Sequence, residues 1–431
     1  MSILKNKILP ILLIIVFVSA TILTVNIATV KAATVLQVPS ASYPTIQSAL
    51  NAANDGDAIN IASGTYIENI HYNGYSTNMV NGIPNFKAGI TVQGAKDTAI
   101  NGDVTILYLK QLKIDSLTIT GSLTLGDCGA YGYVTNSIIS NVHVEAATTI
   151  GGPSNTLTGS TVSSLILKGG NTKMEFPAYK TILENNQVTN GIIIKAGSHS
   201  NTIKGNEILN SAVGISEEPS KTYYTTGNNQ ITNNTLIGNN IGISLYSSTG
   251  DNGAASHTAD EITQNIIKDN AVGIEFSASA QFVYGNTLYH NDFINNVAQV
   301  KVNYPLANIW DDGQSPRKGN YWSDYKGSDS NGDGIGDTPY VINAENQDNY
   351  PLMRPLSAPN LSLTPTVSPR PAVSPSPTPS LITTTPPTPS PSPSQSQTSI
   401  VPELAPFMVI AALVAVSLLT ILLKHKHQST F

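Results

Sequence analysis

Cysteine is almost missing from this sequence. Cys128 stands alone, so no disulfide can close within the chain and no cysteine-based metal site can form. Lying beside Gly126 and Gly129, it reads as a small buried filler, not a nucleophile. Charge is scarce too, at 12% of residues with a formal net charge of −6. With no basic cluster or stripe in its central part, the chain lacks the electrostatic footprint of a nucleic-acid binder. Both tryptophans, Trp310 and Trp322, fall late in the chain. No apolar stripe of period 3.6 runs through the centre, which excludes a helical bundle.

What is present is a repeat. Ile203 to Ile215 reads I-K-G-N-E-I-L-N-S-A-V-G-I, Ile231 to Ile243 reads I-T-N-N-T-L-I-G-N-N-I-G-I, and Ile262 to Ile274 reads I-T-Q-N-I-I-K-D-N-A-V-G-I. Each copy has an apolar residue, Asn three later, an apolar residue two beyond, and a closing Gly-Ile. Fragments recur at Ile182 with Asn186 and at Val283 with Asn286. A unit of about 20 residues that cannot bury its own apolar face has to stack on its neighbours. Its short runs of period two, broken by Asn and Gly, predict an all-β parallel solenoid. Ile203, Ile231 and Ile262 then stack inside, as do Ile208, Leu236 and Ile267. Asn206, Asn234, Asn265 and Asn286 are expected at one corner, where Asn tolerates a left-handed backbone and bonds to the Asn of the next coil. Gly214, Gly242 and Gly273 are expected at a sharp bend. Degenerate strands upstream, such as Ile90 to Gly94 and Lys113 to Thr120, extend the solenoid over residues 33–307.

Exposed solenoid ends need covering. At the front, Thr45 to Asn54 carries Ile46, Ala49, Leu50 and Ala53 at helical spacing, with Pro44 suited to the first turn. At the back, 308–355 is expected to form a cap around Trp310, Tyr321, Trp322 and Tyr325.

Outside that body the composition changes. Residues 1–32 read as a secretory signal: Lys5 and Lys7, an apolar run, then Val30-Lys31-Ala32. An uncleaved anchor is the alternative. Residues 356–400 form a Ser/Thr/Pro tract, which supports neither helix nor sheet and serves as a disordered stalk. Residues 401–424 predict one C-terminal transmembrane helix, and Lys424 and Lys426 place the 425–431 tail in the cytoplasm. These features predict a single-pass, membrane-anchored protein with its body on the cell surface. Asn360-Leu361-Ser362 and Asn233-Asn234-Thr235 are N-glycosylation sequons.

Val38 to Tyr66 resembles the opening of pectin-lyase-like β-helix proteins. Gly319 to Tyr325, followed by Asp329 to Met353, resembles the close of NosD-type proteins, which carry the carbohydrate-binding and sugar-hydrolysis repeat. The resemblance implies a right-handed parallel β-helix. It leaves function open between a copper-centre accessory, polysaccharide-acting enzymes, and surface proteins. Val401-Pro402-Glu403-Leu404 is similar to a sorting signal of some archaeal surface proteins.

Asp329, Asn331, Asp333, Ile335 (through its carbonyl) and Asp337 match the first nine positions of a Ca²⁺ loop, with Gly334 at the sixth. Tyr340 stands where a bidentate Glu is expected, so a further acid such as Asp348 has to complete the shell. A structural Ca²⁺ ion is the expected cofactor. The histidines are scattered and do not group with Met, which weakens a copper reading. No recurring carboxylate pair marks a glycosidase or lyase, so a catalytic role is left open without assigned residues. Insertions at one point of the repeat project from one side. They carry Tyr223, Tyr224 and Tyr246, with Glu217, Glu218, His257 and Asp260, and Tyr179 occupies a similar place. These tyrosines are the candidate sugar-stacking residues of a groove for extracellular polysaccharide or envelope components.

Overall fold

The computed structural model describes residues 32–75, 79–80, 83–126, 132–170, 177–218, 226–247, 259–278, 285–303 and 307–357. The apolar N-terminal run, the Ser/Thr/Pro tract beyond Ser357 and the C-terminal apolar segment lie outside them. Among the described residues no helix is long and apolar enough to cross a membrane.

Eleven strands stack in parallel into one sheet, from Val35–Val38 at one end to Thr287–Tyr289 at the other. A 19-stranded sheet and a three-stranded parallel one, Lys87–Ala88, Leu109–Lys110 and Val134–Thr135, form further walls. In the larger of these the long strand His143–Ile150 turns across two walls, since it pairs with both Thr118–Ile119 and Leu123–Leu125 of the preceding coil. A strand above a strand, coil after coil, makes this a parallel β-helix.

The alternation of residue types explains the stacking. In Thr202–Lys204 and Gln230–Thr232 only the middle residue is buried. Ladder register then places Leu183, Ile203, Ile231, Ile262 and Leu288 directly above one another. A second interior row runs Val188, Ile208, Leu236, Ile267, Phe293 and Trp322. Each buried aliphatic side chain contributes about 1.5–3 kcal/mol.

Asparagine ladders run up the corners, but not in the single expected row. Asn186, Asn206, Asn234, Asn265, Asn291 and Asn320 form one row, each backbone N–H donating to the next side-chain oxygen. Asn286 belongs to a different row, with Asn201, Asn229, Asp260 and Asn308. A third row, unforeseen, joins Ser211, Asn239, Asn270 and Asn296. The ladder residues are also not the left-handed ones. Positive φ falls on the residue before each of the first five members of the first row, at Asn185, Gly205, Asn233, Gln264 and His290. Gly214, Gly242 and Gly273 serve close approach instead of a bend. A Cβ at Gly214 would lie 2.5 Å from the Gly242 carbonyl oxygen, and one at Gly242 equally close to that of Gly273.

Helix α1 (Ile46–Ala52) packs on the first coil through Ile46, Ala49 and Leu50. Thr45 is its N-cap, so Pro44 lies just before the helix instead of in its first turn. Glu68 accepts from the N–H groups of Ile46 and Gln47 at 2.9 and 3.1 Å, satisfying donors that a helix start leaves open. At the other end Trp322 is stacked between Phe293 and Tyr340, with ring centroids 4.3 and 4.2 Å away. Strand pairing continues past residue 307, since Tyr321–Trp322 pairs with Asp292–Phe293.

Candidate functional site

The longest intervals of the repeat keep the ladder intact. Along Asn186, Asn206, Asn234, Asn265 and Asn291 the sequence separations are 20, 28, 31 and 26 residues. In the sequence the extra residues fall between Glu218, Ser247 and Ala278 and the ladder row of Asn229, Asp260 and Asn286.

Beside that row, on the outer face of the 11-stranded sheet, lies a groove of about 590 Å³. Its floor is an outward row in strand register, Thr202, Gln230, Glu261 and Thr287. Lys180, Ser200 and Asn228 line the corner side. Neighbouring coils are spaced by about 4.8 Å, so the groove offers a polar group at each step along the axis.

The geometry within the groove is fixed by side-chain contacts. Asn228 donates to the Ser200 hydroxyl at 2.9 Å, and Nδ1 of His199 sits 3.1 Å from the same oxygen. Next to Lys180, the rings of Tyr179 and His199 stack 5.4 Å apart and 9° from parallel. Burial, followed by the positive charge of Lys180, holds His199 below its usual pKa, so the ring is neutral at neutral pH. Glu261 is gripped from both sides. The Tyr289 hydroxyl donates to Oε1 at 2.7 Å, and Gln230 donates to Oε2 at 3.4 Å. That bond to Glu261, then burial, pushes the Tyr289 hydroxyl up to about 12. The charged lining is thus Lys180, the half-buried Glu261 and the buried carboxylate of Asp260, among hydroxyls and amides.

Of the candidate tyrosines, Tyr179 stands at this corner. Tyr223 and Tyr224 lie outside the described residues, as does His257. Tyr246 is placed in the strand Ile241–Ser247, opposite Ser277, and does not line the groove. Two acids expected on the insertions are also relocated. Glu217 ends the strand Val213–Glu217 and is buried in the interior row between Ile194 and Leu245. Asp260 is a buried ladder member. Both reach Asn229, whose Nδ2 donates to Glu217 at 2.6 Å and whose backbone N–H donates to Asp260 at 2.7 Å. Asp260 and Glu261 both border the groove, but Asp260 is only 1% exposed, whereas its neighbour Glu261 is half-buried on the outward row.

A second groove, of about 560 Å³, crosses another corner beside Lys96, Asp97, Asn141 and His143. Asp115 stands nearby, unnoticed in the sequence. Burial works against its ionisation, but hydrogen bonds from Ser140, Ser116, Gln93 and Asn141 outweigh that and bring it down to about 2.

The loop of the Ca²⁺ candidates is curled by its own donors. Asp329 accepts from the N–H groups of Gly332, Asp333 and Gly334. Asp333 accepts from Asn331 and from the N–H of Ile335, at 2.9 Å each. Hydrogen bonds from Ser330, then Ser328, hold Asp337 below its usual pKa. Asp348 is engaged elsewhere: its carboxylate accepts from Asn320, Trp322 and Tyr350. The Tyr340 hydroxyl donates to Asp324.

A copper centre, implied by the resemblance, asks for grouped soft or imidazole ligands. His71 and His143 sit on different coils, His199 stacks on Tyr179, and His290 lies 3.4 Å from Asp312. Among the described residues no three or more His, Cys, Asp or Glu side chains form a metal-holding group. The described residues do not fit a resident copper ion.

The family model described as "Periplasmic copper-binding protein (NosD)" matches residues 26–327. The chain is 35% identical over 150 residues to a probable ABC transporter binding protein NosD of Pseudomonas aeruginosa, covering 31% of this chain and 33% of that one. A protein of the same description from Stutzerimonas stutzeri is 37% identical over 98 residues, covering 22% and 21%. The chain therefore spans a third or less of these curated relatives. Among solved structures it is similar to the A-module of the Azotobacter vinelandii mannuronan C-5 epimerase AlgE6, with TM-score 0.36, 16% identity, and coverage of 61% and 91%. It is also similar to pectate lyase Pel9A, with TM-score 0.33, 15% identity, and coverage of 69% and 83%. With the family model matching well over half of its length, the chain belongs to the NosD family.

Proposed function

We propose that this NosD-family β-helix is a membrane-anchored surface protein that binds extracellular polysaccharide or a related envelope component without cleaving it. The observation that carries this reading is the axial groove of the 11-stranded sheet, with the Tyr179–His199 stack beside it. A row of hydroxyls and amides at coil spacing suits a polyhydroxylated chain lying along the axis, and a flat aromatic pair suits the face of a sugar ring. Cleavage by the usual route needs two carboxylates across the scissile bond, and of the two that border the groove Asp260 is buried and held by the Asn229 N–H. Residues 1–32 serve as the export signal, 356–400 as the stalk and 401–424 as the anchor. Helix α1 and the Phe293–Trp322–Tyr340 stack close the two ends. The Asp329 loop takes a structural Ca²⁺.

Glycan-array binding tests the reading. Tyr179→Ala and the Thr202→Val/Gln230→Leu pair should each lower binding by tenfold or more, at about 1–3 kcal/mol per lost contact. Unchanged binding in both variants removes the groove. The alternative that the family match favours is a partner role in the envelope, beside an ABC transporter or a copper enzyme. Capture of a transporter subunit by the body, with no binding on the array, would favour it.

A further inference from the structure

Asn233 and Asn234 are neighbours with opposite placements. Asn234 is fully buried. It donates to Ile203 O and Asn265 Oδ1, and accepts from Asn206. Asn233 is exposed and occupies the left-handed corner at φ 60°. Thr235 then opens the strand Thr235–Ile237 with its side chain on the outer face, half-buried. Period-two alternation therefore turns Asn233 and Thr235 outward together while Asn234 points in.

We infer that Asn233 is an N-glycosylation site. This rests on the reading above that the body is exported. The reaction needs an accessible carboxamide and a hydroxyl two residues later. Other left-handed corner asparagines lack the second group: Asn141 is followed two on by His143, Asn185 by Gln187 and Asn228 by Gln230. The surroundings of Asn233 are open. Gly205, one coil below in the corner, has no side chain, and Gln264, one coil above, is itself exposed. A glycan here displaces no packed group.

The chemistry is a substitution at a sugar's anomeric carbon. Asn233 Nδ2 forms the new C–N bond and loses one proton. The bond from that carbon to the phosphate oxygen of a lipid-linked sugar donor breaks, and the leaving phosphate keeps the electron pair. The strand Gln230–Thr232 separates this corner from the groove, about 10 Å at 3.3 Å per residue. The attached sugar borders the groove on the side away from Asn228.

The test is mass spectrometry of peptides from the full chain, isolated from the cells that make it. The peptide containing Asn233 should carry a glycan mass, and that mass should be lost in Asn233→Gln. Thr235→Val leaves the carboxamide intact and should lose it as well, which separates glycosylation from deamidation. An unmodified Asn233 peptide overturns the inference, whatever the state of Asn360. Protease shaving of intact cells tells the two failures apart. A shaved body with unmodified Asn233 sinks only this site, whereas a protected body also sinks the exported reading.

Discussion

Oδ1 of Asp292 accepts the backbone N–H of Leu356 at 2.9 Å, a clasp between residues 64 apart. Oδ2 takes the N–H of Ser357 at 2.8 Å. Asp292 lies on the outer side of its strand, beside the inward Phe293, yet it is only 2% exposed. The carboxylate thus fastens the chain to the wall at the point where the Ser/Thr/Pro tract begins. Removing it frees two N–H groups and their segment while the coil below keeps its pairing. Asp292→Ala should make the chain cleavable near Leu356 by limited proteolysis at least tenfold faster. The unfolding midpoint of the body should change little. Equal cleavage rates would mean that the segment is held by other contacts.

The ladder rows set a sharper contrast between neighbours. Asn234→Ala strips acceptors from Asn206 and donors from Ile203 O and Asn265, all inside the wall. Unsatisfied buried groups cost about 1–3 kcal/mol each, so the variant should lose roughly 3 kcal/mol or more. Asn233→Gly, which keeps the left-handed corner without strain, should stay within about 0.5 kcal/mol. Urea unfolding of both variants checks this. Similar losses from the two would show that the corner, not the ladder, carries the stability.

The ladder also shows what could be read in the sequence. The aliphatic rows were legible because alternation forces every second residue inward and the repeat fixes which one. Ile203, Ile231 and Ile262 duly stack. Asn286 falls in a different row from the one expected because each of these coils carries three ladder positions five residues apart, as in Asn201, Asn206 and Ser211 or Asn286, Asn291 and Asn296. All do the same chemistry, so local sequence does not say which corner is meant. Glu217 and Asp260 were misplaced for a related reason. Charged residues at the edge of an insertion look like loop, and only strand register reveals that Glu217 continues the row of Ile194. Beside the groove, Tyr179 is legible in the sequence as an aromatic at an insertion point. The groove floor is not, because Thr202, Gln230, Glu261 and Thr287 are ordinary outward strand residues until register aligns them.

If the Asp329 loop takes Ca²⁺, stability has to follow the ion. Binding to the folded state alone adds about 2.7 kcal/mol at a concentration one hundred times the dissociation constant. Millimolar Ca²⁺ should therefore raise the unfolding temperature, chelation should lower it, and Mg²⁺ should substitute poorly because it prefers a smaller, stricter shell. Asp333→Ala, which removes one proposed ligand, should abolish the response. A midpoint indifferent to Ca²⁺ and chelator would leave the loop as a turn closed by its own hydrogen bonds.

Asp348 gives a pH dependence of unusual sign. Burial pushes its carboxyl up to about 6 despite hydrogen bonds from Asn320, Trp322 and Tyr350. A carboxyl whose folded pKa lies above its unfolded value of 3.8 binds a proton more tightly in the fold. Its charged form is therefore a cost of folding, full above about pH 6 and absent below the unfolded value. The shift corresponds to roughly 3 kcal/mol at 1.36 kcal/mol per pK unit. Lowering the pH from 7 to 5 should stabilise the end of the β-helix around Trp322, seen as a higher unfolding midpoint by tryptophan fluorescence. Asp348→Asn keeps an acceptor for the N–H groups of Asn320 and Trp322 but cannot ionise, and should flatten that rise. A wild-type midpoint that falls between pH 7 and 5, with the variant falling in parallel, would show that Asp348 stays charged in the folded wall.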